Sequence, residues 1–123
     1  MDKTLTELIM ETTAPYNNPY QGTDKKVLFV CSAGLLRSAT AARIFADKYN
    51  TRAAGSASYA LIPISPNLIA WADEIVFMKW TNRVEALEKF PALKEKKLVE
   101  LDVPDEYEHM DPELIRILKE QYD

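Results

Sequence analysis

A three-layer α/β sandwich around a central four-stranded parallel sheet is the fold class the sequence predicts, and three observations carry it. Val27-Leu28-Phe29-Val30-Cys31 is a short, continuous apolar run of the kind found in strands buried on both faces. Such runs alternate with longer segments of helical spacing. Strands joined through helices imply right-handed crossovers and a parallel sheet covered on both sides. At 123 residues there is room for one compact domain with one core.

Residues 3–12 place Leu5, Leu8, Ile9 and Met10 at helical spacing, and a turn-rich stretch from Ala14 to Gly22 follows. Residues 1–24 therefore read as an N-terminal extension, a short helix and a tether, ahead of a domain over 25–123. After the strand 27–31, Ser38–Tyr49 has good helix formers, with Ala41, Ile44, Phe45 and Lys48 on neighbouring turns. Thr51–Gly55 reads as a short second strand ended by glycine, and a Ser/Ala/Pro-rich stretch then leads to a helix at Pro66–Trp71. Asp73–Met78 reads as a third strand, Thr81–Phe90 as a helix and Lys97–Leu101 as a fourth strand. Lys94, Lys96 and Lys97, interrupted by Glu95, read as a polar linker before that strand. The last helix is Asp111–Tyr122, with Asp111 as N-cap and Pro112 in the first turn.

Composition narrows the function classes. A net charge of -4 and a pI near 5.1 advertise no basic surface for nucleic acid or an anionic membrane, so an anionic ligand needs a local positive site. The N-terminal residues mix Asp2, Lys3 and Glu7 with Thr and Leu, which predicts neither a signal peptide nor a membrane span and points to the cytoplasm. One cysteine allows no internal disulfide and no cysteine-based zinc site, and no metal or cofactor is expected.

Cys31 is thus either a packed hydrophobe or a reactive thiol, and its surroundings in sequence favour the second. The loop Cys31-Ser32-Ala33-Gly34-Leu35-Leu36-Arg37-Ser38 joins a buried strand to a helix. Such a junction aims backbone N–H groups and the positive end of a helix dipole at one point, which suits phosphate. In a doubly wound sheet that point lies beyond the carboxyl ends of the strands, where ligands bind. Arg37 adds a planar fork able to hold two phosphate oxygens at once. The same N–H groups, helix end and guanidinium favour thiolate over thiol at Cys31, and the Ser38 hydroxyl can donate to that sulfur. A cysteine followed six residues later by arginine occurs by chance about one time in twenty. An intervening Gly34, a strand before and a helix after make coincidence rarer still.

The run VLFVCSAGLLRSATAARIF resembles the phosphate-binding signature C-x5-R-S of low-molecular-weight protein tyrosine phosphatases, and is most similar to a short group of bacterial and phage members. Further along, Arg52-Ala53-Ala54-Gly55 is similar to the family's R-S-A-G-like stretch. Trp71–Met78 resembles its third strand, Thr81-Asn82 its Ser-Asn pair, and Val103-Pro104-Asp105-Glu106-Tyr107 its late Asp-Pro-Tyr element. The resemblance covers about Lys25 to the C-terminus. It implies a phosphatase acting through a phosphocysteine, with phosphorylated protein or a small phosphate ester as substrate. Cys31 would attack phosphorus, Arg37 would bind the equatorial oxygens and Ser38 would stabilise the thiolate. Ser32, Ala33, Gly34, Leu35 and Leu36 would line the cradle. Asp105 would be the general acid, with Asp102 as its rival.

Four positions depart from the family pattern. Gly34 stands where asparagine is usual; glycine adopts a positive φ readily but cannot supply the side-chain hydrogen bonds that tie the loop. Ala39 replaces a common proline, Ala53 lacks a hydroxyl, and Lys79 stands where an acidic residue is frequent. Trp80 and Tyr107 are candidate walls for a flat leaving group, with core packing as the alternative for Trp80. His109 reads as a solvated loop residue. Arsenate reduction would need further cysteines, and a sugar-phosphotransferase role would not need Arg37. The competing function is a weak or inactive phosphate- or phosphoprotein-binding module on the same cradle.

Overall fold

A computed structural model describes residues 22, 24–34 and 36–122 of the chain. The expected helix at 3–12 and most of the tether lie outside them.

The apolar run becomes β1 (Lys26–Cys31), buried from Val27 onwards because it is an inner strand. It lies between β2 (Asn50–Gly55) and β3 (Glu74–Phe77), and β4 (Lys97–Glu100) pairs with the far edge of β3. The order β2-β1-β3-β4 is parallel throughout. Between these strands run helices α1 (Arg37–Ile44), α2 (Pro66–Trp71) and α3 (Trp80–Lys89), and α4 (Pro112–Gln121) closes the chain. The winding reverses at β1, since β2 lies on one side of it and β3 on the other. The crevice of a doubly wound sheet therefore opens between the loops that leave β1 and β3.

The pleat sorts the core into two layers. Val27, Phe29 and Cys31 share a cluster with Ala41, Ala42, Leu114 and Leu118, under α1 and α4. Leu28 and Val30 point the other way, into a cluster with Leu68, Trp71 and Ala86, under α2 and α3. The helices that cover these faces start where their caps allow. Ser65 Oγ accepts from Leu68 N–H at α2, and Asp111 Oδ1 accepts from Glu113 N–H at α4, each with proline in the first turn.

Two expectations are corrected. The helix expected to run to Tyr49 ends at Ile44, and residues 45–48 form tightened turns in which Ala46 N–H bonds Arg43 O and Lys48 N–H bonds Phe45 O. The chain must leave the helix there to bring Asn50 N–H within 2.9 Å of Lys25 O and start β2. The stretch read as a polar linker contains a 3-10 turn, Pro91–Glu95, anchored by the fully buried Leu93. Other element ends differ from expectation by about one residue, as fraying termini do. Among the described residues, no helix is long and apolar enough to cross a membrane.

Candidate active site

Cys31 is the last residue of β1 and is buried, paired in register with Gly55. Its Sγ accepts the Gly34 N–H at 3.2 Å and lies 3.1 Å from Ser38 Oγ. The Ser38 hydroxyl has one hydrogen to give and also lies 3.5 Å from Ala54 O, so a charged sulfur, nearer and more strongly accepting, draws it. Gly34 has φ +79°, and a Cβ there would stand 2.8 Å from Ala54 C and from Gly55 N. Only glycine lets the loop lie this close to the end of β2. The loop is pinned there by Ser56 N–H to Cys31 O at 2.8 Å and Ala57 N–H to Ser32 O at 3.0 Å. Leu36, the N-cap of α1, makes no side-chain capping bond, so the helix start offers its N–H groups to the loop. Leu36 is partly exposed, Ser32 and Ala33 are half-buried, and Leu35 lies outside the described residues.

Arg37 opens α1 and is only 3% exposed. Nη1 donates to Val103 O at 3.0 Å and Nη2 to Ser32 Oγ at 3.5 Å, while the buried Nε makes no hydrogen bond among the described residues. Asp105 Oδ1 stands 3.6 Å from that Nε, and the Asp105 side chain is 65% exposed. Asp102, the rival carboxylate, is held elsewhere: it pairs with Lys79, and its backbone is bound on both sides by Gln121 of α4. The fold therefore brings Asp105, not Asp102, to the guanidinium.

Beyond Asp105, Tyr107 packs partly on the cluster beneath α1 and α4. Burial, and then the neighbouring charge of Glu106, pushes its phenol above the ordinary range. His109 is less free than a solvated loop residue. Its Nδ1 lies 3.4 Å from Thr40 Oγ1, and burial, aided by Arg43, holds the imidazole below its usual range.

On the other side of the loop, Asn82 Nδ2 donates to Ser32 Oγ and to Ser56 Oγ, each at 3.2 Å. Ser56 Oγ donates in turn to Glu85 at 2.6 Å, and Lys89 Nζ holds Ser56 O at 2.8 Å. Next to this chain is a cavity of about 370 Å³ whose lining includes Ser32, Trp80, Asn82 and Glu85. Trp80 is 56% exposed there, so it is not a core residue. Among the described residues, no group of three or more His, Cys, Asp or Glu is placed to hold a metal ion.

Among solved structures, the chain is similar to the YwlE arginine phosphatase from Geobacillus stearothermophilus, with a TM-score of 0.58 and 18% identity. The alignment covers 78% of this chain and 84% of that one. The chain has the low-molecular-weight phosphatase fold. No family model and no curated protein matches it. At this identity the likeness carries the fold alone.

On that phosphatase fold, the structure gathers Cys31, Arg37, Ser38 and Asp105 within one loop and its rim. It does not bring Trp80 and Tyr107 together: one borders the cavity beside Ser32, the other packs on the core beneath the opposite face. Sequence reasoning missed Ser56 and Glu85, which with Asn82 buttress the loop that Gly34 leaves without a side-chain tie. The available signal was position: Ser56 directly follows Gly55, at the carboxyl end of β2.

Proposed function

We propose that the chain is a cysteine-dependent phosphomonoesterase working through a phosphocysteine. The observation that carries the proposal is the Cys31 sulfur, contacted by the Ser38 hydroxyl at 3.1 Å and the Gly34 N–H at 3.2 Å on the floor of a loop closed by a buried arginine whose Nε–H is unbonded among the described residues. A packed structural cysteine needs none of these neighbours.

In the first step the Cys31 thiolate attacks phosphorus in line, an S–P bond forms and the P–O ester bond breaks. The electron pair leaves on the ester oxygen, which takes a proton from the Asp105 carboxyl. Arg37 and the loop N–H groups carry the charge on the three equatorial oxygens. In the second step Asp105, now a carboxylate, takes a proton from water as the water oxygen attacks phosphorus. The S–P bond breaks, inorganic phosphate leaves and Ser38 stabilises the departing thiolate. Trp80, exposed and lining the same cavity as Ser32, would flank a flat leaving group.

Phosphotyrosine protein is the substrate that the sequence resemblance favours, and the name of the YwlE neighbour adds phosphoarginine as the comparison to run. A lone, unpaired Cys31 accords with a cytoplasmic setting. The test is turnover of p-nitrophenyl phosphate, a phosphotyrosine peptide and a phosphoarginine peptide by wild type, Cys31→Ser, Asp105→Asn and Asp102→Asn. Hydrolysis that disappears in Cys31→Ser and falls in Asp105→Asn is expected. A pure wild type that binds phosphate but turns over none of the three would make this a binding module instead. Full activity in Asp105→Asn with loss in Asp102→Asn would move the acid to Asp102.

A further inference from the structure

The segment from Leu101 to Asp111 that carries Asp105 has no helix or strand of its own. A carboxylic acid on such a segment can serve as proton donor only if something outside the segment sets its position. The start of the segment is held by several elements, Leu101 N–H by Phe77 O, Val103 N–H by Met78 O and the Asp102 backbone by Gln121, while α1 holds it on both sides of Asp105. Near its start, Val103 O accepts from Arg37 Nη1 at 3.0 Å. Near its end, Met110 N–H donates to Thr40 Oγ1 at 2.9 Å, and the same hydroxyl lies 3.4 Å from His109 Nδ1. Arg37 and Thr40 are three residues apart on one helix, so they stand on neighbouring turns of the same face. Asp105 lies between the two tethered points.

The Thr40 contact is unusual in two respects. A threonine hydroxyl inside a helix commonly bonds back to the preceding turn, yet this one, fully buried, reaches partners 69 and 70 residues away. Met110, which it holds, has φ 62° and is the one non-glycine residue with positive φ among the described residues. A side chain in that region persists only where its surroundings hold it, and such positions gather at functional sites. The second partner fits as well. With the imidazole neutral, Nδ1 can accept the Thr40 hydrogen while the Thr40 oxygen accepts from Met110.

We propose that Thr40 is a positioning residue for the hydrolysis proposed above: its hydroxyl fixes the far end of the acid segment and thereby holds Asp105 over the phosphate loop. The proposal rests on Asp105 being the proton donor. Valine has the shape of threonine and would fill the same buried space, but it would leave Met110 N–H without its acceptor and the segment tied at one end only. Proton donation matters most for a basic leaving group, so a mispositioned acid has a signature that a packing defect lacks.

The experiment measures kcat on p-nitrophenyl phosphate, whose leaving group departs readily as an anion, and on phenyl phosphate, whose leaving group needs the proton. Wild type, Thr40→Val, Thr40→Ser and Asp105→Asn are compared. Thr40→Val is expected to widen the ratio of the two rates about tenfold or more, in the same direction as Asp105→Asn, and Thr40→Ser to restore the wild-type ratio. A folded Thr40→Val with the wild-type ratio, or with equal losses on both substrates, overturns the proposal while leaving the enzyme reading intact. An Asp105→Asn ratio equal to wild type removes the acid assignment itself and Thr40's role with it. Where Thr40→Val yields no folded protein, Thr40→Ala is read by the same ratio.

Discussion

A buried charge sits at each end of the sheet, and the two are treated differently. At the amino end, Glu74 opens β3 with 2% of its side chain exposed, and it is fully met: Lys25 Nζ at 3.0 Å, Lys97 Nζ at 2.9 Å and the Tyr122 hydroxyl. Burial pushes its carboxyl up, but the hydrogen bonds from Tyr122, Lys97 and Lys25 outweigh that and hold it below the usual carboxylate value. At the carboxyl end, Arg37 is as deeply buried, yet among the described residues its Nε has no hydrogen bond and the Asp105 carboxylate stands off at 3.6 Å. A charge whose partners are complete belongs to the fold, tying β3, β4 and α4 together. A buried charge left partly unmet costs free energy. A phosphate in the loop would recover that cost.

The sharpest way to break this contrast is at Gly34. Gly34→Asn, which restores the residue usual in the resembling family, is expected to abolish phosphatase turnover and lower the melting temperature, because its Cβ meets the Ala54 and Gly55 backbone at 2.8 Å. A folded, active Gly34→Asn enzyme would show that the loop can stand further from β2. Arg37→Lys comes next: lysine keeps the charge but loses the fork, and kcat should fall by about 100-fold or more. Inorganic phosphate should raise the melting temperature of wild type, and Arg37→Lys should lose most of that rise.

At the closed end the effects should be on stability. Glu74→Gln is expected to lose about 2 kcal/mol in urea unfolding, with kcat per folded molecule unaltered. Its pH dependence follows from the lowered carboxyl. Above the unfolded value of 4.5 the carboxylate is charged in both states and its contribution is complete; as pH falls through the lower folded value, the contribution is lost. Wild type should therefore lose its advantage over Glu74→Gln between pH 4.5 and that lower value, which unfolding curves taken across the acid range would read. Tyr122→Phe, which removes one of the three donors, should cost about 1 kcal/mol.

The same contrast separates what could be read in the sequence from what could not. Val27–Cys31 announces an inner strand because every residue in it is apolar, and Cys31, Gly34, Arg37 and Ser38 announce a cradle because they lie within eight consecutive residues. Backbone geometry turns such local patterns into local structure with little help from the rest of the chain. Asp102 and Asp105 could not be separated that way: they lie three residues apart in an irregular segment, and Lys79 and Arg37, which divide them, come from different elements.

What the sequence alone determined, then, is the alternation of strands and helices and the loop after β1, since both are written in spacing that burial and backbone hydrogen bonding read over a few residues. Only the tertiary structure decided which charges are closed and which are open. Glu74 meets Tyr122 across 48 residues, Asn82 meets Ser32 across 50, and Thr40 meets Met110 across 70. Those pairings arise because packing two helical layers on a parallel sheet brings distant side chains to the same end of it, and no pattern along the chain encodes that proximity.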